Sequence, residues 1–259
     1  MQLWLCPLVA FLLGSIPFGL LMAKARGVEI RAQGSGNIGA TNVWRVMGRK
    51  FGIACLLLDV IKGFIPVVLA LSLFRLVGKE SNLALSLLAS HALYFEPAQQ
   101  FQAQLLHVGT GLLAILGHNY SPWVGFRGGK GIATSAGVLL GLYPFFGVVL
   151  VLLIWVGLFL STRYVSVASM GAAAALPLIT HLGARFHHVN NDKALPTLWE
   201  AGTWNQPLFV LSLAIALLAL WKHRSNLQRL RAGTEHRFEK RPQRKTDRSD
   251  QSERTDPLS

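Results

Sequence analysis

Seven apolar runs divide this chain, most of them close to the length a bilayer demands, and most of its basic residues fall in the gaps between them. Crossing the hydrocarbon core takes about 20 mostly apolar helical residues. The runs are Leu3 to Ala23, Phe51 to Phe74, Leu105 to Leu116, Ile132 to Leu142, Phe145 to Leu160, Val165 to Thr180 and Pro207 to Trp221. Lipid offers a backbone no hydrogen bonds, so runs that cross it must form helices or a closed barrel, and runs this long read as helices. The expectation is an all-α, polytopic integral membrane protein of about seven transmembrane helices. The composition agrees: 52% of residues are hydrophobic and 14% charged, with a net charge of +13. That excludes a disordered chain. A nucleic-acid binder would gather its charge on a soluble domain.

Charge sets the orientation. The gap from Lys24 to Lys50 holds six basic residues against Glu29 alone, a net of +5, and the chain from Lys222 onward holds 11 against 6, also +5. Both belong in the cytoplasm by the positive-inside rule. The N-terminus is then outside and the C-terminus inside. The first run is read as a retained helix with a kink at Pro17, since Lys24 and Arg26 follow it, the reverse of a signal peptide. Residues 1–235 form the membrane-embedded domain and 75–104 an extended outside loop with a short interfacial helix around Asn82 to Tyr94. Residues 236–259 form a disordered cytoplasmic tail. Cys6 and Cys55 fall near opposite faces and suggest no disulfide.

Three polar islands then share the cytoplasmic side. Gly34 to Arg45 offers Ser35, Asn37, Thr41, Asn42 and Arg45: hydroxyls, amides and a guanidinium suited to phosphate oxygens. Its Gly34-x-Gly36-x-x-Gly39 spacing matches a dinucleotide fingerprint, but no strand precedes it. Gly117 to Thr134 carries Gly128, Gly129, Lys130 and Gly131 just before a helix start, where backbone amides and the helix dipole favour an anion. Gly131 after Lys130 rules out a Walker sequence. On sequence, His118 serves equally as a structural or a catalytic histidine. The third island, His223 to Glu235, puts His223 and Asn226 on one helical face. Asp59 and Lys62 share a face within the second run, where ionisable residues are costly and a function is the default reading. His187 to Asp192 fits an H-x-x-x-x-D acyltransferase pattern, but it falls on the outside and is read as coincidence. No metal site and no cofactor are expected.

GSGNIGATNVWR, GFRGGKGIATSAG with its preceding GH, RYVSVAS and HRSNLQRLRAGTE, in this order, closely resemble the bacterial acyl-phosphate:glycerol-3-phosphate acyltransferase family. The resemblance runs from the first helix to about Glu235; the outside loops and the tail look longer than usual, and Leu227 replaces a common Ile. It implies an enzyme of the bacterial cytoplasmic membrane that moves a fatty acyl group from acyl phosphate to the 1-hydroxyl of glycerol 3-phosphate. The products are lysophosphatidic acid and phosphate. Neither acyl-CoA nor acyl carrier protein is needed, and the enzyme that makes acyl phosphate is an implied partner. On this reading Ser35, Arg45, Lys130, His223 and Asn226 are catalytic. Asn37, Thr41, Asn42, Asp59, Lys62, Gly128, Gly129, Gly131, Arg163 and Ser166 bind or line, and His223 is a candidate base unless a substrate phosphate takes the proton. The competing class is a transporter of a phosphorylated solute, which helices broken by glycine and proline would also suit.

Overall fold

The computed structural model describes residues 3–78, 81–189 and 206–238, the side chains of 184–189 excepted. Its first run breaks at proline. The helix α1 (Leu5–Ser15) stops where Ile16, forced out of the helical region by the next residue, turns extended at φ −60° and ψ 117°. α2 (Phe18–Lys24) resumes after Pro17. The kink expected at Pro17 is an interruption of the helical ladder at Ile16 and Pro17 within one span, 5–24, and the freed carbonyls find protein donors. Lys62 Nζ donates to Ile16 O at 2.8 Å and Ser121 Oγ to Ser15 O at 2.6 Å. An interrupted helix at membrane depth needs such partners.

A loop leads to α3 (Ala40–Met47), and α4 (Arg49–Leu73) follows at once. α5 (Gln100–Asn119) begins before its apolar run, with Gln104 turned into the protein and away from lipid, as are His107 and Thr110 within the run. Next come the short α6 (Ile132–Leu142), then α7 (Phe145–Thr162) and α8 (Val165–Val189). α9 (Gln206–Lys222) and α10 (Arg224–Arg231) meet at a 51° bend. α8 runs past Thr180 into the expected outside loop, so His187 sits on its last turn; Asp192 lies outside the described residues.

Ala10, Val67, Ala114, Val138, Leu176 and Leu211 form the central core, one from each of α1, α4, α5, α6, α8 and α9. α7 stands at the rim, with Leu150, Leu152 and Leu153 turned outward, as does α4 with Leu56, Leu57 and Ile61. Outward leucines on this scale call for lipid. α4 and α6 cross in backbone contact: a Cβ at Gly63 would overlap Thr134 O and one at Gly137 would overlap Val60 O. Small residues permit this approach.

The segment after α4 corrects the expected interfacial helix. Strands β1 (Phe74–Leu76) and β2 (Leu93–Phe95) pair in parallel, Arg75 opposite Tyr94, with a 3₁₀ turn at Ser86–His91 between them. The buried Arg75 guanidinium donates to Ser72 O at 3.0 Å and Leu85 O at 2.7 Å, and these bonds to the backbone tie the segment down in place of a helical ladder. Among the described residues, four stretches are long and apolar enough to cross a membrane: 5–24, 49–73, 145–162 and 165–183. A fifth joins them if α9 and α10 count as one bent span.

Candidate active site

Lys130 is the hinge of the site. Its ammonium donates to Asn226 Oδ1, and Asn226 Nδ2 donates to Glu235 Oε1 at 2.6 Å. Ser166 Oγ donates to the same carboxylate at 2.9 Å and Arg229 Nε at 2.8 Å. Four segments thus meet on one carboxylate and one lysine: the glycine loop, the start of α8, α10 and the chain just beyond it. Burial pushes the Lys130 ammonium down to about 8, with Glu235 opposing and Arg229, Arg45 and Lys222 reinforcing. For Glu235, burial would raise the carboxyl, but the bonds from Asn226, Arg229 and Ser166 outweigh it and hold it below its ordinary value. Lys130, Arg45, Lys222 and Arg229 therefore gather more positive charge than Glu235 cancels, which is the electrostatics of an anion site.

His223 sits in the bend between α9 and the charged α10. Its Nδ1 lies 2.7 Å from Ala219 O, and a carbonyl can only accept, so Nδ1 carries the proton and Nε2 keeps its lone pair. Burial, with the Lys130 charge adding, lowers this imidazole to about 4. It is a neutral acceptor at any physiological pH.

The glycines before α6 are required by their neighbours. Gly129 N donates to His118 O at 3.1 Å, a Cβ at Gly128 would overlap that same oxygen, and one at Gly129 would overlap the His118 ring. Gly131 caps α6 at φ 79°, a conformation that L side chains rarely adopt. His118 is therefore the wall on which the loop lies. Its Nδ1 faces Asp59 Oδ1 at 3.7 Å, and Asp59 in turn pairs with Lys62 at 2.8 Å, both of these nearly fully buried. Through Lys62 and Ile16 O the brace reaches from the break between α1 and α2 to the glycine loop. Phe18, Ile38, Asp59, Lys62 and His118 line a cleft beside it.

The first island is held from within. The Asn42 side chain accepts from Ser35 N at 2.8 Å and donates to Ile30 O at 3.3 Å and Gln33 O at 3.1 Å, so its hydrogen-bonding capacity is spent on folding the loop. Asn37 Oδ1 accepts from Gly39 N at 3.0 Å, ahead of α3. Ser35 lies in this loop and Thr41 on the first turn of α3. Arg31 Nη2 joins the loop to the glycine loop by donating to Arg127 O at 3.0 Å. Arg45 reaches across to His236 O at 3.3 Å. Arg163 ends α7 at φ 63°, and its carbonyl accepts from Phe238 N at 2.9 Å.

The structure thus brings together Lys130, Asn226 and Ser166 by direct or shared bonds, with Arg45 and His223 coupled to them by charge. It puts Asp59 and Lys62 behind the glycine loop and Asn42 on the first turn of α3, with its side chain holding the loop before it. Glu235 and Arg229 belong to the third island but are not among the site residues expected from sequence. The one acid in that island, Glu235 after a dozen basic and neutral residues, is the signal that could have found the carboxylate. Among the described residues no group of three His, Cys, Asp or Glu side chains could hold a metal ion.

The family model for glycerol-3-phosphate acyltransferase matches residues 4–233. The glycerol-3-phosphate acyltransferase of Geobacter sulfurreducens is 42% identical over 231 residues, covering 89% of this chain and 94% of its own. That of Aquifex aeolicus is 38% identical over 231 residues, covering 88% and 95%. Two crystal structures of PlsY (YgiH), an integral membrane glycerol 3-phosphate acyltransferase, are each 33% identical. The glycerol 3-phosphate form superposes with a TM-score of 0.69 over 92% of this chain and 96% of that one. The lysophosphatidic acid form gives 0.67 over 92% and 95%. The chain belongs to the glycerol-3-phosphate acyltransferase family.

Proposed function

We propose that this integral membrane acyltransferase of phospholipid synthesis takes its acyl group from an acyl phosphate and places it on the 1-hydroxyl of glycerol 3-phosphate. The observation that carries the reading is the half-buried Lys130, fixed by Asn226 and surrounded by further cations, next to a neutral His223 with its Nε2 lone pair available. Both substrates carry phosphate, so such a site must hold two anions at once, and the crystal structures of PlsY include a glycerol 3-phosphate form and a lysophosphatidic acid form.

Ser35, Asn37, Thr41 and Arg45 bind one phosphate at the start of α3, with Asn42 shaping the loop that presents them. Gly128, Gly129, Lys130 and Gly131 cradle the other at the start of α6, where the helix amides add to the lysine. Arg163 and Ser166 close the side, and Asp59 with Lys62 braces the floor. The hydroxyl of glycerol 3-phosphate donates to His223 Nε2 and is oriented by it. An imidazole at about 4 is a weak base, whereas a phosphate takes its second proton near a pKa of about 6, so the proton passes to the departing phosphate. The hydroxyl oxygen bonds to the acyl carbon, the acyl–O–P linkage breaks at that carbon, and inorganic phosphate leaves against Lys130. With so good a leaving group, positioning and charge stabilisation suffice.

The chain crosses the bacterial cytoplasmic membrane seven times, with α1–α2, α4, α5, α6, α7, α8 and α9 as passes and the site on the cytoplasmic side. The basic gaps support this orientation. At 1.5 Å per residue the 11 residues of α6 span only about 16 Å, roughly half a hydrocarbon core. Thr134 meets α4 at Gly63, 14 residues or about 21 Å from its start at Arg49. The glycine loop is sunk below the cytoplasmic surface, where an acyl chain lying between helices can bring its phosphate without leaving the bilayer.

The test offers purified protein glycerol 3-phosphate with acyl phosphate, with acyl-CoA, or with no donor, and measures phosphate and lysophosphatidic acid. Product with acyl phosphate alone is expected. Equal rates with acyl-CoA would overturn the donor, and counterflow of labelled glycerol 3-phosphate with no acylated product would favour transport.

A further inference from the structure

From the end of α10 to Phe238 the chain folds back onto the molecule. Gly233, at φ 68°, turns it back, Thr234 N donates to Arg229 O at 2.8 Å, and residues 234–238 run as a strap over the site. The disordered tail expected from residue 236 is therefore anchored as far as Phe238; the remainder, 239–259, lies outside the described residues. The matched family region ends at 233, so the strap lies just past it.

Phe238 holds the strap's end. Its ring meets Trp44 of α3 edge-on at 6.1 Å and Phe159 of α7 at 5.8 Å, and its N–H donates to Arg163 O. The Arg45 guanidinium lies over its face, 5.6 Å from the centroid, while Arg45 Nη2 donates to His236 O. One aromatic side chain thus joins α3 to α7 and lies against the guanidinium assigned to a substrate phosphate. An arginine side chain has many rotamers, so a guanidinium left loose must be ordered at each turnover. Held on a ring and a carbonyl, it is ordered beforehand, which is what charge stabilisation requires.

We propose that Phe238 is a positioning residue that acts through Arg45, stacking under its guanidinium so that the strap fixes the phosphate-binding arm before substrate arrives. The proposal rests on the reading of Arg45 as a phosphate ligand.

The experiment uses the full-length protein in detergent and the variants Phe238→Ala, Phe238→Leu and Phe238→Tyr, with elution as a folded species checked by size exclusion. Two quantities are read: kcat/KM for acyl transfer, and the rate at which phenylglyoxal modifies Arg45, followed by peptide mass spectrometry. Phe238→Leu keeps apolar bulk against Trp44 and Phe159 but removes the ring under Arg45. It and Phe238→Ala are expected to lose between about tenfold and a hundredfold in kcat/KM, with faster modification of Arg45. Phe238→Tyr should match wild type in both. Lost activity with Arg45 modified at the wild-type rate would make Phe238 ordinary packing and overturn the proposal, as would full activity in Phe238→Ala or a loss in Phe238→Tyr equal to that in Phe238→Ala. The underlying reading fails on a separate result: wild-type Arg45 left unprotected from phenylglyoxal by glycerol 3-phosphate and by inorganic phosphate.

Discussion

Lys130 owes its chemistry to its surroundings. A half-buried ammonium among other cations is pushed down to about 8, so it is charged below that pH and loses its proton above it. His223, lowered to about 4, is neutral throughout and contributes no limb in the working range. Since kcat/KM reports the ionisation of free enzyme, it is expected to fall as pH rises through about 8. Lys130→Arg, always charged, should move that fall upward in whatever activity it retains. An unchanged alkaline limb in Lys130→Arg would assign it elsewhere. Lys130→Gln should lose about a hundredfold or more in kcat/KM, the scale for removing one charge-stabilising donor. Asp59 is a poor subject for such a measurement: removing it strands a buried Lys62 at a cost of about 3–5 kcal/mol, so lost folding would mimic lost chemistry. Lys130, His223 and Asn226 were legible in sequence because each sits in a polar island between apolar runs. The wall that His118 makes for Gly128 and Gly129 was not, since a carbonyl meeting a missing Cβ leaves no trace in residue types.

At the level of elements, α6 is held to α4 by backbone contact, and this pairing sets the height of the glycine loop. Gly137→Leu would drive a side chain into Val60 O, an overpacking with a cost of about 1–3 kcal/mol or more. For a chain of this size that corresponds to a fall of roughly 2–12 °C in melting temperature, measured by thermal denaturation in detergent. Gly109→Ala on α5, where a Cβ meets nothing within 4 Å, should leave the melting temperature unchanged or raise it, since alanine is the better helix former. Equal melting of the two variants would show that the crossing does not carry stability. The apolar runs announced these helices, but polarity misplaced their ends. Gln104 ends the run of α5 on paper while facing the protein in fact, and α8 passes Thr180 by more than two turns. The β1–β2 ladder, set by the contacts of a buried Arg75, had no periodic signal.

Across the whole molecule, α4 separates two ends. The site lies beside its first half, and the 3₁₀ turn at Ser86–His91 lies beyond its last residue. The proposed orientation places the first end in the cytoplasm. With Cys6 and Cys55 replaced, Arg231→Cys should react with an impermeant maleimide only in inside-out vesicles and Leu87→Cys, at a position 74% exposed, only in right-side-out ones. The opposite pattern would invert the topology and place the site outside.

Solvent, class of fold and the chemistry of the islands can be read from residue order alone, because long apolar runs and glycine-rich stretches are local patterns that one-dimensional order preserves. What those islands become together is a matter of packing. Asn42 turns inward to fold the loop before it, Glu235 joins Asn226, Arg229 and Ser166, and the break at Pro17 hands Ile16 O to Lys62. Each of these depends on which groups are left without water or lipid partners once the helices pack, and that is settled only in three dimensions.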